Sequence, residues 1–197
     1  MDMTFDEGQM KIGRRLAIKL LNASKFALSF GAAAGAVTEP LDRAMLLGLA
    51  DLIDEATASF DRFDYARALE RTEGHFWTFC NDFLELVRNR AYSDGDGAAS
   101  ARAALGPALE AILKLFAPFL PYVTEEVWSW WRPGSVHQSS WPSSTDVLSP
   151  IGGRDEAALA VRLATQDGLA EVRRHVDEPG AVLGRHVPGR DHPERVR

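Results

Sequence analysis

The stretch PLDRAMLLGLADLIDEATASFDR, residues 40–62, decides the fold class. Leu41, Met45, Leu49, Leu52, Ile53, Ala56 and Phe60 recur at the three-and-four spacing that places side chains on one face of an α-helix. Thr38 is positioned to cap this helix, and Glu39 and Pro40 suit its first turn, where a missing N–H costs nothing. The same period appears on either side.

Upstream, in residues 11–30, Ile12, Leu16, Leu20, Ala23 and Ala27 fall on one side, while Lys11, Arg14, Arg15, Lys19, Asn22 and Lys25 fall on the other. That is an amphipathic helix with a basic outer face, closed by Gly31 and Gly35 around three alanines. Downstream, Asp64 can cap a third helix running to about Tyr92. Tyr65, Leu69, Phe76, Phe79, Cys80, Phe83, Leu86 and Val87 share its apolar face, and Arg71, Thr78, Asp82, Glu85 and Asn89 lie opposite.

A fourth helix is expected over Ala98 to Ala117, with Gly106-Pro107 starting or bending its regular part. Pro118 and Pro121 then interrupt the pattern, because proline removes a helical donor and restricts the residue before it. A short fifth helix is expected after Thr124, whose hydroxyl can cap it, with Glu125 and Glu126 favourably placed against the helix dipole. It ends by Arg132-Pro133-Gly134, and residues 135–150, rich in Ser and Pro, read as an extended connection.

Ala158, Val161, Leu163, Ala164, Leu169 and Val172 suggest one more helix, and from Asp177 onward no apolar period remains. No segment shows strand alternation and no repeat is visible. The expectation is an all-α antiparallel helical bundle. It comprises a leader (1–10), the bundle (11–150), an additional helix (151–176) and a mobile C-terminal tail (177–197).

Composition bounds the function. The chain has 197 residues, 46% hydrophobic and 25% charged, with a net charge of −6. It suits one globular domain with a tail. An acidic chain is not a uniformly basic nucleic-acid binder, so only a local basic patch could meet phosphates. Three of the four lysines, Lys11, Lys19 and Lys25, stand in one short stretch, and Lys11 to Phe26 holds five cations without an acid. One cysteine and no secretory leader point to the cytoplasm, and no apolar run approaches the roughly 20 residues that span a bilayer.

Catalytic and metal chemistry find no foothold. His75, His137, His175, His186 and His192 are scattered, and Cys80 has no paired thiol, so zinc-type spacing is absent and no cofactor is expected. No glycine-rich phosphate loop occurs, and Glu125-Glu126 diverge by about 100° on a helix, a poor geometry for acid–base work.

Three stretches carry a resemblance: KIGRRLAIKLLNASKF (11–26), FCNDFLELVR (79–88) and FAPFLPYVTEEVW (116–128), followed by Ser135-Val136-His137 and Trp141-Pro142. Together they resemble the anticodon-binding domain of class I valyl-tRNA synthetases. The likeness covers about residues 11 to 142, weakly extended over 155–174. Leu21 stands where the family has tryptophan, Asn81 where an acid is common, and Arg88 where lysine is common. The HIGH and KMSKS signatures of the catalytic domain are not found.

The resemblance implies a module that grips the anticodon stem and loop of a valine-type tRNA. It supports ATP-dependent aminoacylation only when joined to a separate synthetase catalytic domain, and is no enzyme by itself. Lys11, Arg14, Arg15, Lys19 and Lys25 would position RNA phosphates; Arg71, Asp82, Glu85, Arg88 and Asn89 would meet the splayed anticodon bases. The aromatics Phe76, Trp77, Phe79 and Phe83, and Trp128, Trp130 and Trp131, read as core, with His137 and Trp141 as clamps on the extended connection. The contrasting reading is a structural or protein-interaction bundle of the same descent that no longer binds tRNA.

Overall fold

A computed structural model describes residues 7–31, 35–154, 156 and 158–164. Those up to Leu163 form one compact unit, and the second unit begins at Ala164, so the tail expected from Asp177 lies outside the described residues. No strand is present among them, residues 156 and 158–164 are helical, and seven further α-helices have both ends described. They are α1 (Glu7–Leu28), α2 (Pro40–Asp61), α3 (Tyr65–Thr78), α4 (Leu84–Tyr92), α5 (Asp96–Phe116), α6 (Pro121–Ser129) and α7 (Ser144–Leu148). The all-α bundle expected from the periodicity is what forms.

Helix α5 is the axis of the bundle, in contact with α1, α2, α3, α4, α6 and α7. Its sequence explains why: Ala101, Ala104, Leu105, Ala108, Leu109, Ile112, Leu113, Leu115 and Phe116 are all buried, leaving little polar face. A helix that is apolar nearly all round must be surrounded, and its alanines let neighbours approach closely. The helix runs through Pro107, which leaves the Ala103 carbonyl without its usual donor.

Several local expectations give way to tertiary structure. Helix α1 begins at Glu7, inside the expected leader, and Ile12 on its apolar side is 44% exposed. Glu39, not Thr38, holds the cap position of α2, and no side chain caps it. The N–H groups of Thr38 and Glu39 donate instead to the Ser100 hydroxyl at 3.0 and 2.9 Å. Helix α6 starts on Pro121, which suits a first turn, so Thr124 is inside it and its hydroxyl donates back to the Leu120 carbonyl at 2.9 Å. Glu125 reaches out of the helix and accepts from Ser135 Oγ and the Val136 N–H at 2.8 and 3.1 Å.

The connection at 135–150 is not wholly extended. It contains a 3-10 turn at Val136–Gln138 and all of α7, with a further turn at Ser149–Ile151. It is clamped as anticipated: Trp141 Nε1 donates to Thr57 Oγ1 at 2.9 Å, and the His137 ring bonds the Pro121 carbonyl at 3.0 Å.

The third expected helix is interrupted by a π-helical turn at Phe79–Phe83 between α3 and α4. Such a turn takes in one extra residue and advances the helical phase. On an unbroken α-helix Leu86 would stand five turns above Ala68, in line with it. Ala68 is fully buried, whereas Leu86, expected in the core, is 55% exposed and Val87 is buried in its place. The apolar face has moved on by one residue.

One buried ionic cluster ties three helices together. Asp42 near the start of α2 has no exposed surface and accepts two bonds from Arg90 of α4, at 2.6 and 2.8 Å, and a third from Ser100 Oγ of α5 at 2.7 Å. Arg90 also donates to the Gly97 carbonyl at 2.8 Å. The Ser100 hydroxyl, which receives Thr38 and Glu39, thereby links the chain entering α2 to the same carboxylate. Asp42→Ala leaves a half-buried guanidinium without its counterion. It is expected to lower unfolding free energy by about 3–5 kcal/mol, read from the urea midpoint. A loss under about 1 kcal/mol would mean that the cluster does not hold the fold.

At the opposite edge of α2, Asp51 accepts from Arg154 and Arg162, and Asp54 accepts from Arg154. Burial pushes Asp51 up, but the two guanidiniums outweigh it and hold the carboxyl below its ordinary range. They have a neighbour in His75, whose pKa burial and then the Arg162 charge push down to about 4. The folded imidazole therefore stays neutral where the unfolded one, near 6.5, takes up a proton. Its contribution is fully present above about pH 6.5 and is lost as pH falls towards 4. Allowing for a half-buried ring, that loss is on the order of 2 kcal/mol. His75→Gln should flatten the stability-versus-pH curve between pH 6.5 and 4.5, and an unchanged curve would contradict this assignment.

Candidate nucleic-acid interface

Helix α1 divides cleanly. Leu16, Leu20, Ala23, Ser24 and Ala27 are buried, and Lys11, Arg14, Arg15 and Lys25 are exposed on the far side. Ile18, 46% exposed, and Asn22 lie among these cations. None of the four cations bonds or pairs with another described residue. Nothing in α1 neutralises the face except Glu7 in its first turn.

Lys19 differs from the other four. It is half-buried, its ammonium donates to Asn81 Oδ1 at 3.1 Å, and it stands 5.9 Å from the centre of the Trp77 ring. Trp77 Nε1 donates in turn to Glu73. Lys19 thus joins α1 to the π-helical turn and is a structural strut as well as a charge.

The same offset of 62 residues recurs along this seam. Lys19 meets Asn81, the Arg88 guanidinium lies 5.6 Å from the Phe26 ring, and Phe30 meets Tyr92 at 5.0 Å between ring centres. A constant offset means that α1 and the Tyr65–Tyr92 rod run side by side in the same direction, as alternate members of an up-and-down bundle do.

Phe26, Phe30 and Tyr92 form a triangle of edge-to-face rings at the C-terminal end of the seam, with Tyr92 63% exposed. Arg88 stands over Phe26, and Arg102 over Phe30 at 5.5 Å.

The residues anticipated to meet bases are not all brought together. Glu85, Arg88 and Asn89 are exposed and follow one another along α4, with Arg88 donating to Glu85 at 2.8 Å, and Asp82 is half-buried in the π-helical turn. Arg71 is elsewhere. It faces α2 and pairs with Glu55 at 3.8 Å. On an unbroken helix Arg71 and Asn89 would be aligned five turns apart, and the phase advance at Phe79–Phe83 separates them. Arg71 therefore drops out of the cluster, and Asn81, Phe26, Phe30 and Tyr92 join it. Only the common offset brings these four together, and it involves pairs too distant in sequence for a helical period to reveal.

Cys80 sits under Lys19 in the π-helical turn, 2% exposed, and burial raises its thiol to about 12 despite the opposing lysine charge. It is packing material. Among the described residues no His, Cys, Asp and Glu grouping suited to a metal ion occurs, and no helix is long and apolar enough to cross a membrane.

A polar seam lined by cations, flanked by acceptors and ended by rings fits a polyanion with exposed bases. Residues 42–175 match the sequence profile of the anticodon-binding domain of tRNA ligases. The chain belongs to that family.

Valine–tRNA ligases are among its curated relatives. The domain is 55% identical over 183 residues to the valine–tRNA ligase of Thermobifida fusca, covering 90% of this chain and 20% of that protein. For the valine–tRNA ligase of Cutibacterium acnes the figures are 59% over 153 residues, 75% and 18%; for that of Salinispora tropica, 49% over 196 residues, 90% and 23%. The chain spans about a fifth of the length of these relatives.

A thiol held near 12 and covered by packing reacts only when the domain opens. Labelling of Cys80 by a disulfide reagent at pH 8 is expected to be slower by at least about a hundredfold in the folded domain than in denaturant. Fast labelling under native conditions would mean that the π-helical turn is open to solvent.

Proposed function

We propose that this domain binds the anticodon arm of a valine tRNA along the seam between α1 and the Tyr65–Tyr92 rod. The observation that carries the reading is the row of exposed, unpaired cations on α1 beside a seam that ends in an aromatic triangle. Lys11, Arg14, Arg15 and Lys25 would neutralise phosphates, giving affinity with little sequence information. Asp82, Glu85 and Asn89 offer hydrogen-bond partners to base edges, and the exposed Tyr92 ring, near Arg88 and Arg102, offers a stacking surface for an unpaired base.

Within a valine–tRNA ligase, this work positions the tRNA while the remainder of the polypeptide activates valine with ATP and esterifies the RNA in the cytoplasm. The domain alone contributes binding. A preparation free of host enzyme is accordingly expected to support no valine-dependent ATP–pyrophosphate exchange.

The test is a titration of the domain with valine tRNA, starting at low salt. Affinity is expected to fall as salt rises, with a slope proportional to the number of phosphate contacts. Arg14→Glu with Arg15→Glu should weaken binding of every tRNA by more than about tenfold and flatten that slope. Tyr92→Ala and Asn89→Ala should reduce mainly the preference for a valine anticodon. A folded domain that binds no tRNA at low salt, or binds equally well after both reversals, would be the interaction bundle instead.

A further inference from the structure

We propose that the aromatic end of the bundle at the α2–α3 turn is where the remaining body of the ligase docks, through an apolar patch on its own protein surface. This rests on the reading of the chain as the tRNA-binding domain of a valine–tRNA ligase. Two local rules are broken together at Phe63. Its backbone has φ +60°, making it the one described non-glycine residue in the left-handed region, and its side chain is 78% exposed.

The turn itself is a helix-ending motif. The Phe63 N–H donates to the Phe60 carbonyl and the Asp64 N–H to the Ser59 carbonyl, both at 2.9 Å. Glycine is the residue that takes this position without strain. A bulky side chain there is costly, and holding its ring in water recovers nothing.

Phe63 is not isolated. Its ring centre lies 6.4 Å from Tyr65, Tyr65 lies 5.3 Å from Phe60, and Phe60 touches Phe119 and Trp141 at 5.9 and 4.9 Å. Tyr65 is 47% and Trp141 36% exposed, so the rings form one solvent-facing aromatic surface. Such contiguous patches mark contact sites.

Charge, place and size select the occupant. Asp61, Arg62, Asp64 and Arg67 around the turn cancel one another, so the patch lacks the positive field that RNA phosphates require. The offset of 62 residues, less the one residue that the π-helical turn takes in, puts the first turn of α1 level with the first turns of α3, at this same end, so the patch lies away from the Phe26–Phe30–Tyr92 triangle. Three partly exposed aromatic side chains offer a few hundred Å² at most, short of the roughly 800 Å² per partner in a free-standing complex. That size suits a contact between parts of one polypeptide, where covalent connection supplies the effective concentration.

The experiment places this chain, in full, in the matched segment of the Thermobifida fusca ligase, with benzoylphenylalanine replacing either Phe63 or Tyr92. Irradiation with tRNA present is expected to join position 63 to peptides outside the domain, and position 92, at the end of the seam, to tRNA. Position 63 crosslinking to tRNA, to a second copy of the protein or to nothing would overturn the docking proposal. Loss of the RNA crosslink at position 92 alone would overturn the seam as the RNA site.

A second measurement does not depend on the chimera. Phe63→Gly in the 197-residue chain should leave the melting temperature unchanged or raise it by about 2 °C, because relief of the left-handed backbone offsets the loss of one edge contact with Tyr65. A fall of more than about 5 °C would show that Phe63 is needed for packing within the domain, which also overturns the proposal.

Discussion

The buried Asp42 carboxylate is the constraint on which the rest of the arrangement depends. A carboxylate with no exposed surface is tolerable only if its acceptor positions are filled, and here Arg90 and Ser100 fill them from two other helices. The three helices can therefore associate in one register only. Arg90 lies between Arg88 and Tyr92 on α4, so the bond that fixes Arg90 also fixes the height at which those two meet Phe26 and Phe30 of α1. A cluster with no evident part in RNA contact thus sets the alignment of the candidate interface.

The π-helical turn at Phe79–Phe83 acts on rotation as the Asp42 cluster acts on height. It lets α3 present Ala68, Thr72 and Phe76 to the core while α4 presents Leu84, Val87 and Ala91, a phase that one regular helix could not sustain. It also brings Asn81 to Lys19. In the resemblance to valyl enzymes an acid is common at this position, and an ion pair there would partly neutralise the lysine. The amide of Asn81 accepts the same hydrogen bond and leaves the full positive charge in place.

These features explain which parts of the molecule were legible in the sequence. The period of residues 40–62, the basic and apolar sides of α1 and the existence of α5 follow from local pattern alone, and so each was visible. The Asp64 cap of α3, whose side chain accepts from Arg67 within the same turn, was visible too. The caps expected at Thr38 and Thr124 were not what forms, because the groups that satisfy Thr38, Glu39 and Glu125 come from Ser100, Ser135 and Val136, which only the tertiary fold brings near. The misplacement of Leu86 and the grouping of Arg71 with Asn89 share one cause. Both assume an unbroken 3.6-residue period through the aromatic run at 76–83, and nothing in that run distinguishes a π-helical turn from an α-helical one. The cations of α1 needed only local pattern; the triangle of Phe26, Phe30 and Tyr92 needed the fold.

The net charge of −6 is compatible with an RNA-binding face once the charges are located. Many of the acids are engaged by cations of their own: Asp42 by Arg90, Asp51 by Arg154 and Arg162, Glu55 by Arg71, Glu85 by Arg88, and Glu110 by Lys114 and Arg132. None of those pairs involves α1. Helix α1 keeps its cations unpaired and carries one acid, at its very start. At physiological salt a charge is felt over roughly 8 Å, so a phosphate beside α1 responds to that helix far more than to the total. Separation of the unpaired cations from the paired acids, rather than net charge, is what an approaching polyanion encounters.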